Sequence, residues 1–189
     1  AFAAIREDGS VVTWGAPRHG GDSSAVQDQL RAVRHIHGAD GAFAAILEDG
    51  SVIAWGAREY GGDTSAVQDQ LRVVQLQATA QAFAAILEDG SVVTWGGAYD
   101  ESGGDSSAVQ DQLATVQQLH ATDGAFAAIL ADGSVVTWGH ENRGADSSGV
   151  QERLKAVRHI AGSYAAFAAI LEDGAVVTWG NVECGLNLM

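Results

Sequence analysis

Five copies of one apolar phrase recur along the chain, and their regular spacing constrains the fold more than any other feature. The phrase reads AFAAILEDGSVVTWG in residues 82–96, and close copies begin at residues 1, 42, 125 and 166. Its tryptophans and its phenylalanines both recur at intervals of 41, 40, 43 and 41 residues. A fixed period of this length is typical of solenoids and propellers, in which each unit covers the exposed face of its neighbour. We therefore expect residues 1–189 to form a single repeat domain, with hairpin units beginning near residues 1, 42, 82, 125 and 166.

The aligned large aromatic side chains are the main candidates for the core between units. Burying one such side chain stabilises a fold by roughly 1.5–3 kcal/mol, which exceeds the contribution of a surface ion pair. These residues are Trp14, Trp55, Trp95, Trp138, Trp179, Phe2, Phe43, Phe83, Phe126 and Phe167.

An Asp-Gly pair stands between the two apolar halves of every copy and is a strong signal for a tight hairpin. The structural glycines of these turns are expected at Gly9, Gly50, Gly90, Gly133 and Gly174. A two-residue type I′ turn predicts that Leu47 faces Val52 and that Ala44 faces Trp55, which places Phe43 and Trp55 on opposite faces. Both faces are apolar, so the hairpin has to be packed between neighbouring sheets on both sides. A calcium loop would need alternating oxygen ligands before the glycine, and the sequence AILEDG lacks them.

Between the hairpins lies a second recurring phrase, which reads GGDSSAVQDQLRAV in residues 20–33. Ser24 followed by Gln27 predicts the capped start of a short helical turn, and Val26 and Leu30 are spaced to seat it on the sheet. A more polar strand follows, as in VRHIHG, and we expect it at a half-exposed outer position. The sequence therefore predicts an all-β, β-propeller-like array of five repeats of about 41 residues, built from three-stranded antiparallel blades with a short helical turn between blades.

At this point the chain resembles the regulator-of-chromosome-condensation (RCC1) repeat family. The likeness rests on VRHIHGADGAFAAILEDGSVIAWG in residues 33–56 and covers essentially the whole chain. The short period is similar to the three-stranded-blade type found in the propeller-type beta-lactamase inhibitor protein and in repetitive dinoflagellate sequences. The resemblance implies a β-propeller that binds proteins. Two features depart from the family: GGDSS or GADSS replaces its Gly-Gln-Leu-Gly, and there are five hairpins where well-known members close seven blades.

Closure of the array has two interpretations. Five hairpins are present but only four of the polar strands, so the first unit lacks its own. The tail at residues 181–189 departs from the repeat, and Leu186 and Leu188 alternate with Asn187. Either this tail supplies the missing strand and closes a small ring, or the array is an open arc whose ends a partner covers.

Charge and composition limit the partners. Ten basic against 24 acidic residues give a formal charge of −14, which repels phosphate backbones and anionic lipids. No apolar run approaches the roughly 18 residues needed to cross a bilayer, and the single Cys184 excludes a disulfide framework. We therefore expect no nucleic acid and no direct membrane insertion, while cytoplasmic and organelle-lumenal locations both stay open. Because the chain does not begin with methionine, we expect a processed form or a part of something longer.

The sequence contains no recognisable catalytic motif. His35 and His37 alternate on one strand and could hold a metal, but the equivalent positions of other repeats carry glutamine or alanine. His140-Glu141 lacks the second histidine of a zinc-protease helix, and GGDSS lacks the lysine of a phosphate loop. We expect no cofactor and no metal, and we expect that the chain is not an enzyme.

What varies between copies is the loop after each Trp-Gly, and equivalent loops gather on one face of a propeller. The residue types favoured in protein contacts at these positions are Arg18, His19, Arg58, Tyr60, Tyr99, His140 and Arg143. The first hypothesis is a non-catalytic protein-binding or scaffolding module that uses these loops to contact another protein or a multi-subunit complex. The second is a structural accessory subunit of a larger assembly, organelle-lumenal or photosynthetic. A third is a metal- or glycan-binding propeller or a hydrolase. Sequence drift in unconstrained loops is the alternative to all three.

Overall fold

The strands form one antiparallel sheet for each hairpin predicted from the sequence. The structure, a computed structural model, describes residues 1–68, 72–97, 102–181 and 183. In this part of the chain fourteen strands form five sheets. The strands are β1 Phe2–Ile5, β2 Val11–Trp14, β3 Val33–Gly38, β4 Ala42–Leu47, β5 Val52–Gly56, β6 Val73–Ala78, β7 Ala82–Leu87, β8 Val92–Gly96, β9 Val116–Ala121, β10 Ala125–Leu130, β11 Val135–Gly139, β12 Val157–Gly162, β13 Ala166–Leu171 and β14 Val176–Gly180.

Each sheet is one blade. The first blade pairs β1 with β2, and the second to fifth blades have the orders β3-β4-β5, β6-β7-β8, β9-β10-β11 and β12-β13-β14. All neighbouring strands are antiparallel. The predicted all-β architecture of three-stranded antiparallel blades is confirmed, and the first blade has two strands among the described residues.

The hairpin register differs by one residue from the two-residue turn that Asp-Gly predicted. In the second blade Ile46 pairs with Val52 and Phe43 pairs with Trp55, so the predicted pairing of Ala44 with Trp55 is wrong. Leu47 N donates to Ser51 O at 2.9 Å, so Leu47 and Ser51 form the last pair before the turn. The loop between them therefore has three residues, 48–50. Its last residue is a left-handed glycine, which produces the type I turn with a bulge that three-residue hairpins use.

The Asp-Ser pair of the turn stabilises this longer loop. Asp49 Oδ1 accepts from both the backbone N and the Oγ of Ser51, at 2.9 and 2.6 Å. These two hydrogen bonds lower the pKa of the Asp49 carboxyl, since they favour its charged form. Gly50 adopts φ +80, and its carbonyl accepts from Val73 N of the next blade at 2.8 Å. The turn therefore positions the start of the following blade as well as its own hairpin.

The corrected register places the phenylalanine and the tryptophan of each hairpin on the same face. In all five blades the two rings stack with centroids 5.3–5.5 Å apart. We call this side the aromatic face, defined in the second blade by Phe43, Ala45, Ile53 and Trp55. The opposite side is the aliphatic face, and its residues in the second blade are Ala44, Ile46, Val52 and Ala54.

The core consists of four equivalent interfaces between consecutive blades. At each one, the aliphatic face of a blade packs against the aromatic face of the next. Between the third and fourth blades, Ile86 and Val92 contact Phe126 and Trp138, and all four side chains are buried. The hairpins of the second, third and fourth blades are therefore apolar on both faces because a neighbouring blade covers each face, as the sequence predicted.

The linkers between blades are organised by residues other than the predicted cap. Ser24 does not form a capping box with Gln27; its backbone N donates to Asp22 Oδ1 at 2.9 Å. The buried Ser23 Oγ donates to Gln27 Oε1 at 2.8 Å, and Gln27 Nε2 donates to Val11 O at 3.0 Å. The linker thus covers the outer edge of β2, which protects that edge from pairing with other chains.

The linkers and loops contain short 3-10 turns. In the described residues these turns are Pro17–His19, Arg58–Tyr60, Gln110–Gln112, Glu141–Arg143 and Gln151–Arg153. No helix in this part of the chain has the length and apolar character needed to cross a membrane.

The polar strands β3, β6, β9 and β12 lie on the inner side of the array, so the predicted outer position is wrong. Consecutive blades approach each other most closely at these strands. Gln75 of β6 shows why polar side chains suit this position. Its Nε2 donates to Leu119 O at 2.9 Å and its Oε1 accepts from Leu119 N at 3.1 Å. The side chain therefore satisfies backbone groups on the inner edge of the next blade.

The predicted closing tail falls at residues 181–189, of which 182 and 184–189 lie outside the described residues. Phe2 and Trp14 of the first blade are exposed, unlike their counterparts in the other blades. Ile170 and Val176 of the fifth blade are exposed as well.

Candidate binding face

The loops after the first four Trp-Gly pairs are each attached to the next blade by a repeated hydrogen bond. Trp95 Nε1 donates to Gly61 O at 3.1 Å, across the interface between the second and third blades. Trp55, Trp138 and Trp179 donate in the same way to the carbonyls of Gly20, Gly103 and Gly144, at 2.9–3.1 Å. The predicted structural tryptophans therefore hold the loops as well as filling the core.

A glycine is required where each loop approaches the next blade. Gly61 has φ +90, and a Cβ at this position would lie 2.6 Å from Cδ2 of the buried Phe83. A larger residue would have to displace a ring that has no free space around it. The backbone of the loop is consequently fixed at this point while the residues before it are free to differ.

The turns between the first and middle strands of successive blades are joined by backbone hydrogen bonds. Asp40 N donates to Ala80 O at 2.8 Å, Ala80 N donates to Asp123 O at 2.8 Å, and Asp123 N donates to Tyr164 O at 3.1 Å. These bonds run from blade to blade along one side of the array. They fix the relative positions of the four turns.

The Trp-Gly loops and these turns lie on the same side. His19 Nδ1 is 3.4 Å from Asp40 O, and its ring centroid is 6.4 Å from that of Tyr60. Tyr60 packs on Gly41, where a Cβ would lie 2.6 Å from the tyrosine ring. We call this side the loop face, defined by residues 17–19, 39–41, 58–60, 79–81, 122–124, 141–143 and 163–165.

Arg143 joins the fourth and fifth blades on the loop face. Its Nη1 is 2.6 Å from Asp123 Oδ2, and its guanidinium lies 4.1 Å from the centroid of the Tyr164 ring. The carbonyl of Arg143 also accepts from Thr122 Oγ1 at 2.8 Å. Arg143 and Asp123 are both half-buried. These contacts give Arg143 a role in holding the two blades together.

A cavity of about 220 Å³ adjoins this ion pair. It is lined by Ala80, Gln81, Ser102, Asp123, Gly124, His140 and Arg143. His140 Nδ1 accepts from Asn142 N at 3.2 Å and so caps the 3-10 turn at Glu141–Arg143. Asp123, His140 and Arg143, three of the residues that line the cavity, therefore take part in fixing the loop.

The other predicted contact residues are more accessible. Arg18, His19 and Arg58 are exposed, and Tyr60 is half-buried against the turn of its own blade. Arg58 Nε lies 3.3 Å from Asp63 Oδ2, an ion pair at the surface that contributes little to stability. Tyr99 lies outside the described residues. The structure thus brings the described members of the predicted set to one face and leaves three of them open to solvent.

Sequence reasoning missed the turns between the first and middle strands. Asp40, Asp123 and Tyr164 reach the loop face from these turns, and Tyr164 is exposed. Their sequences, HGADGAF, ATAQAF, ATDGAF and AGSYAAF, differ between repeats as much as the Trp-Gly loops do. The same search for variable segments would have found them.

The histidines on the inner strands do not form a metal centre in the described part of the chain. No group of three or more His, Cys, Asp or Glu side chains there is placed to hold an ion. His120 and His159, from adjacent blades, have ring centroids 5.1 Å apart. Burial and then the charge of His159 lower the pKa of His120 to about 4. Burial and then the charge of His35 lower the pKa of His37.

Antiparallel blades stacked face to face, with linkers passing from each outer strand to the next inner one, define a β-propeller-type repeat array. The chain has the RCC1-like repeat fold, as the sequence resemblance implied. No protein-family model matches the sequence, and no curated protein is found to match it. The evidence for the fold is therefore the likeness to solved structures.

Three of these structures illustrate the likeness. Yeast RCC1 (Prp20), solved with Kap60 bound, has a TM-score of 0.58 at 20% identity, over 81% of this chain and 44% of that one. The ectodomain of the receptor kinase CR4 from Physcomitrella patens has a TM-score of 0.64 at 19% identity, over 94% and 48% of the chains. Human WBSCR16 has a TM-score of 0.54 at 19% identity, over 78% and 47%. The match to this chain spans less than half the length of each of the three proteins.

Proposed function

We propose that the chain is a non-catalytic protein-binding module and that its loop face contacts the partner. The observation that carries this proposal is the division between constant and variable positions. The hairpins repeat almost unchanged, whereas the segments that differ between repeats come together on the loop face. A rigid scaffold that presents variable loops is the usual basis of a binding surface.

Rigidity of the loop face supports this function. The Trp-Gly hydrogen bonds and the bonds between successive turns hold the loops in place before any partner arrives. A loop that is already ordered loses less conformational entropy on binding than a mobile one. The backbone that carries the exposed side chains is therefore held in a fixed position.

The charge of the loop face also favours a protein partner. Arg18, His19 and Arg58 are exposed on the first two loops beside the exposed acidic residues Asp40 and Glu59, and Arg58 is paired with Asp63. Charged groups of both signs can pair with those of a protein surface, while the overall formal charge of −14 repels nucleic acid. Protein binding is also the property stated for a structural neighbour, since Prp20p of Saccharomyces cerevisiae has been studied for its binding to Gsp1p and histones.

The test compares two triple variants in affinity capture from an extract of the source organism, with bound proteins identified by mass spectrometry. The first variant carries Arg18→Ala, His19→Ala and Arg58→Ala. The matched control, Arg31→Ala, His35→Ala and Arg72→Ala, removes the same residue types from exposed positions away from the loop face. We expect the loop-face variant to lose the specific partner and the control to retain it, with equal melting temperatures for both.

Equal capture by both variants would show that the loop face is not the binding surface. Arg143 is left unchanged in this experiment because its contacts with Asp123 and Tyr164 stabilise the fold. Co-migration of the chain with one large particle, lost in the loop-face variant, would identify the module as an accessory subunit of that particle.

A further inference from the structure

The cavity on the loop face lies where one repeat has a small residue and the other repeats have large ones. In the first four Trp-Gly loops, the residue directly before the glycine whose carbonyl accepts the tryptophan hydrogen bond is His19, Tyr60, Ser102 or Arg143. Ser102 has the smallest side chain of this set. It is also one of the residues that line the cavity of about 220 Å³.

Hydrogen bonds show that Ser102 and Arg143 occupy equivalent places in successive repeats. Thr79 Oγ1 donates to Ser102 O at 3.0 Å, and Thr122 Oγ1 donates to Arg143 O at 2.8 Å. Each of these threonines belongs to the turn between the first and middle strands of its own blade. The backbone at position 102 is therefore held as it is at position 143, and the side chains differ.

The Arg143 side chain shows where a long side chain from this place goes. It reaches Asp123 in the turn of the fourth blade and Tyr164 in the turn of the fifth. One repeat earlier, the corresponding turns supply residues 80–81 and 123–124, and these residues line the cavity. The cavity is thus the space that a long side chain at position 102 would fill.

The surroundings of the cavity favour a neutral aromatic ring. Arg143 lines the cavity and has its guanidinium 4.1 Å from the centroid of Tyr164, and a planar guanidinium stacks on aromatic rings. Its charge is already paired with Asp123. An incoming cation would be repelled by the arginine, and an incoming carboxylate would compete with the aspartate. Rings already occupy two of the equivalent positions, since His19 and Tyr60 have centroids 6.4 Å apart.

We propose that this cavity receives one aromatic side chain of the protein partner and anchors the interface there. The inference rests on the proposed function, because it assigns the anchor point of the loop face. The volume is below the roughly 300–1,000 Å³ of sites for whole small ligands, so it suits a single side chain. Interfaces concentrate their binding energy in a few such anchors, which are enriched in tyrosine and tryptophan and fill pockets near the centre.

Two variants fill the cavity with a side chain that the repeat already accommodates at the equivalent place. Ser102→Tyr copies Tyr60, and Ala80→Tyr copies Tyr164. The control Ser148→Tyr adds the same ring at an exposed linker position away from the loop face. Melting temperatures equal to that of the unchanged chain show that a variant is folded, and either filled variant is sufficient for the test.

The direct measurement is a titration of the full chain with N-acetyl-tyrosine amide, followed by the NMR shifts of backbone amides. We expect saturable shifts at Ser102, Gly124 and Arg143 in the unchanged chain and in the control, and none in the filled variants. The amides of N-acetyl-leucine, N-acetyl-lysine and N-acetyl-glutamate should give no saturable shift at these residues over the same concentrations. The proposal is wrong if the tyrosine probe does not saturate, if its shifts persist in the filled variants, or if a non-aromatic probe binds equally well.

Affinity capture separates failure of this anchor from failure of the proposed function. The filled variants should capture about 10-fold less of the specific partner, or lower still, while the control captures as much as the unchanged chain. If capture is lost with the Arg18, His19 and Arg58 triple variant but kept with the filled variants, the anchor is wrong and the loop face remains the binding surface. If capture is kept in all of them, both the anchor and the loop face are wrong.

Discussion

Replacing Gly133 by alanine should destabilise the fold much more than the same change at Gly174. Both glycines occupy the last position of the hairpin turn, with φ +78 and φ +85, so the alanine at either site has a left-handed conformation. That conformation costs about 1–2 kcal/mol for a residue with a Cβ. The two sites differ in what lies beside them.

At Gly133 the new Cβ would lie 2.9 Å from Cα of Ala156 and 3.3 Å from N of Val157. Both atoms belong to the backbone at the start of the fifth blade, so neither can move as a flexible side chain would. Overpacking of this kind costs about 1–3 kcal/mol. Val157 N also donates to Gly133 O at 2.9 Å, so a shift of the turn strains this bond. The expected loss is about 2–5 kcal/mol at Gly133 and about 1–2 kcal/mol at Gly174, where nothing lies within 4 Å.

The measurement is urea-induced unfolding of the unchanged chain and the two variants, followed by tryptophan fluorescence and by circular dichroism. Coincident transitions with the two probes justify the conversion of midpoints into free energies of unfolding. Equal losses at the two glycines would refute the reasoning, because they would mean that the turn of one blade does not position the next.

Three further changes test other contacts of the core. Gln75→Leu should lower the free energy of unfolding by about 1–3 kcal/mol in urea titrations, since two backbone groups of Leu119 lose their partner. Trp138→Phe should lower it by about 1–2 kcal/mol, mainly because Gly103 O loses its donor, and hydrogen exchange in the loop at residues 102–104 should accelerate. For His120, the folded-state pKa of about 4 is below the ordinary value, so the neutral form is favoured by folding. The contribution of neutral His120 to the free energy of unfolding is then fully present above about pH 6.5 and is lost as the pH drops towards about 4. His120→Gln should flatten this part of the profile of melting temperature against pH. An unchanged profile would contradict this role of His120.

The hairpin shows which structural features the local sequence can predict and which it cannot. Asp-Gly correctly located every turn, because glycine is needed for the left-handed residue that ends it. It did not determine the number of loop residues, since a two-residue and a three-residue loop both accommodate this dipeptide. The aspartate favours the longer loop, because its Oδ1 accepts from the backbone N two residues further on, at Ala175 of the fifth blade as at Ser51. This one-residue difference decides that Phe43 stacks on Trp55.

The candidate site was only partly visible in the sequence. Variation among the Trp-Gly loops identified Arg18, His19 and Arg58, which the structure leaves exposed. The same variation also selected Arg143, whose contacts with Asp123 and Tyr164 join two blades. Sequence variability reports that a position differs between repeats, and it does not distinguish a solvent-facing side chain from one engaged by a neighbouring blade.

By itself, the sequence determined the repeat, the strand-turn-strand units and the apolar character of both hairpin faces, because these depend on spacing along the chain and on local conformational preferences. Only the tertiary structure decided which face meets which and that the polar strands are innermost. These features depend on contacts between blades about 40 residues apart in sequence, such as the hydrogen bond from Trp95 to Gly61. Nearly identical repeats have the same local signals, so their neighbours in space are what make the first, middle and last blades different.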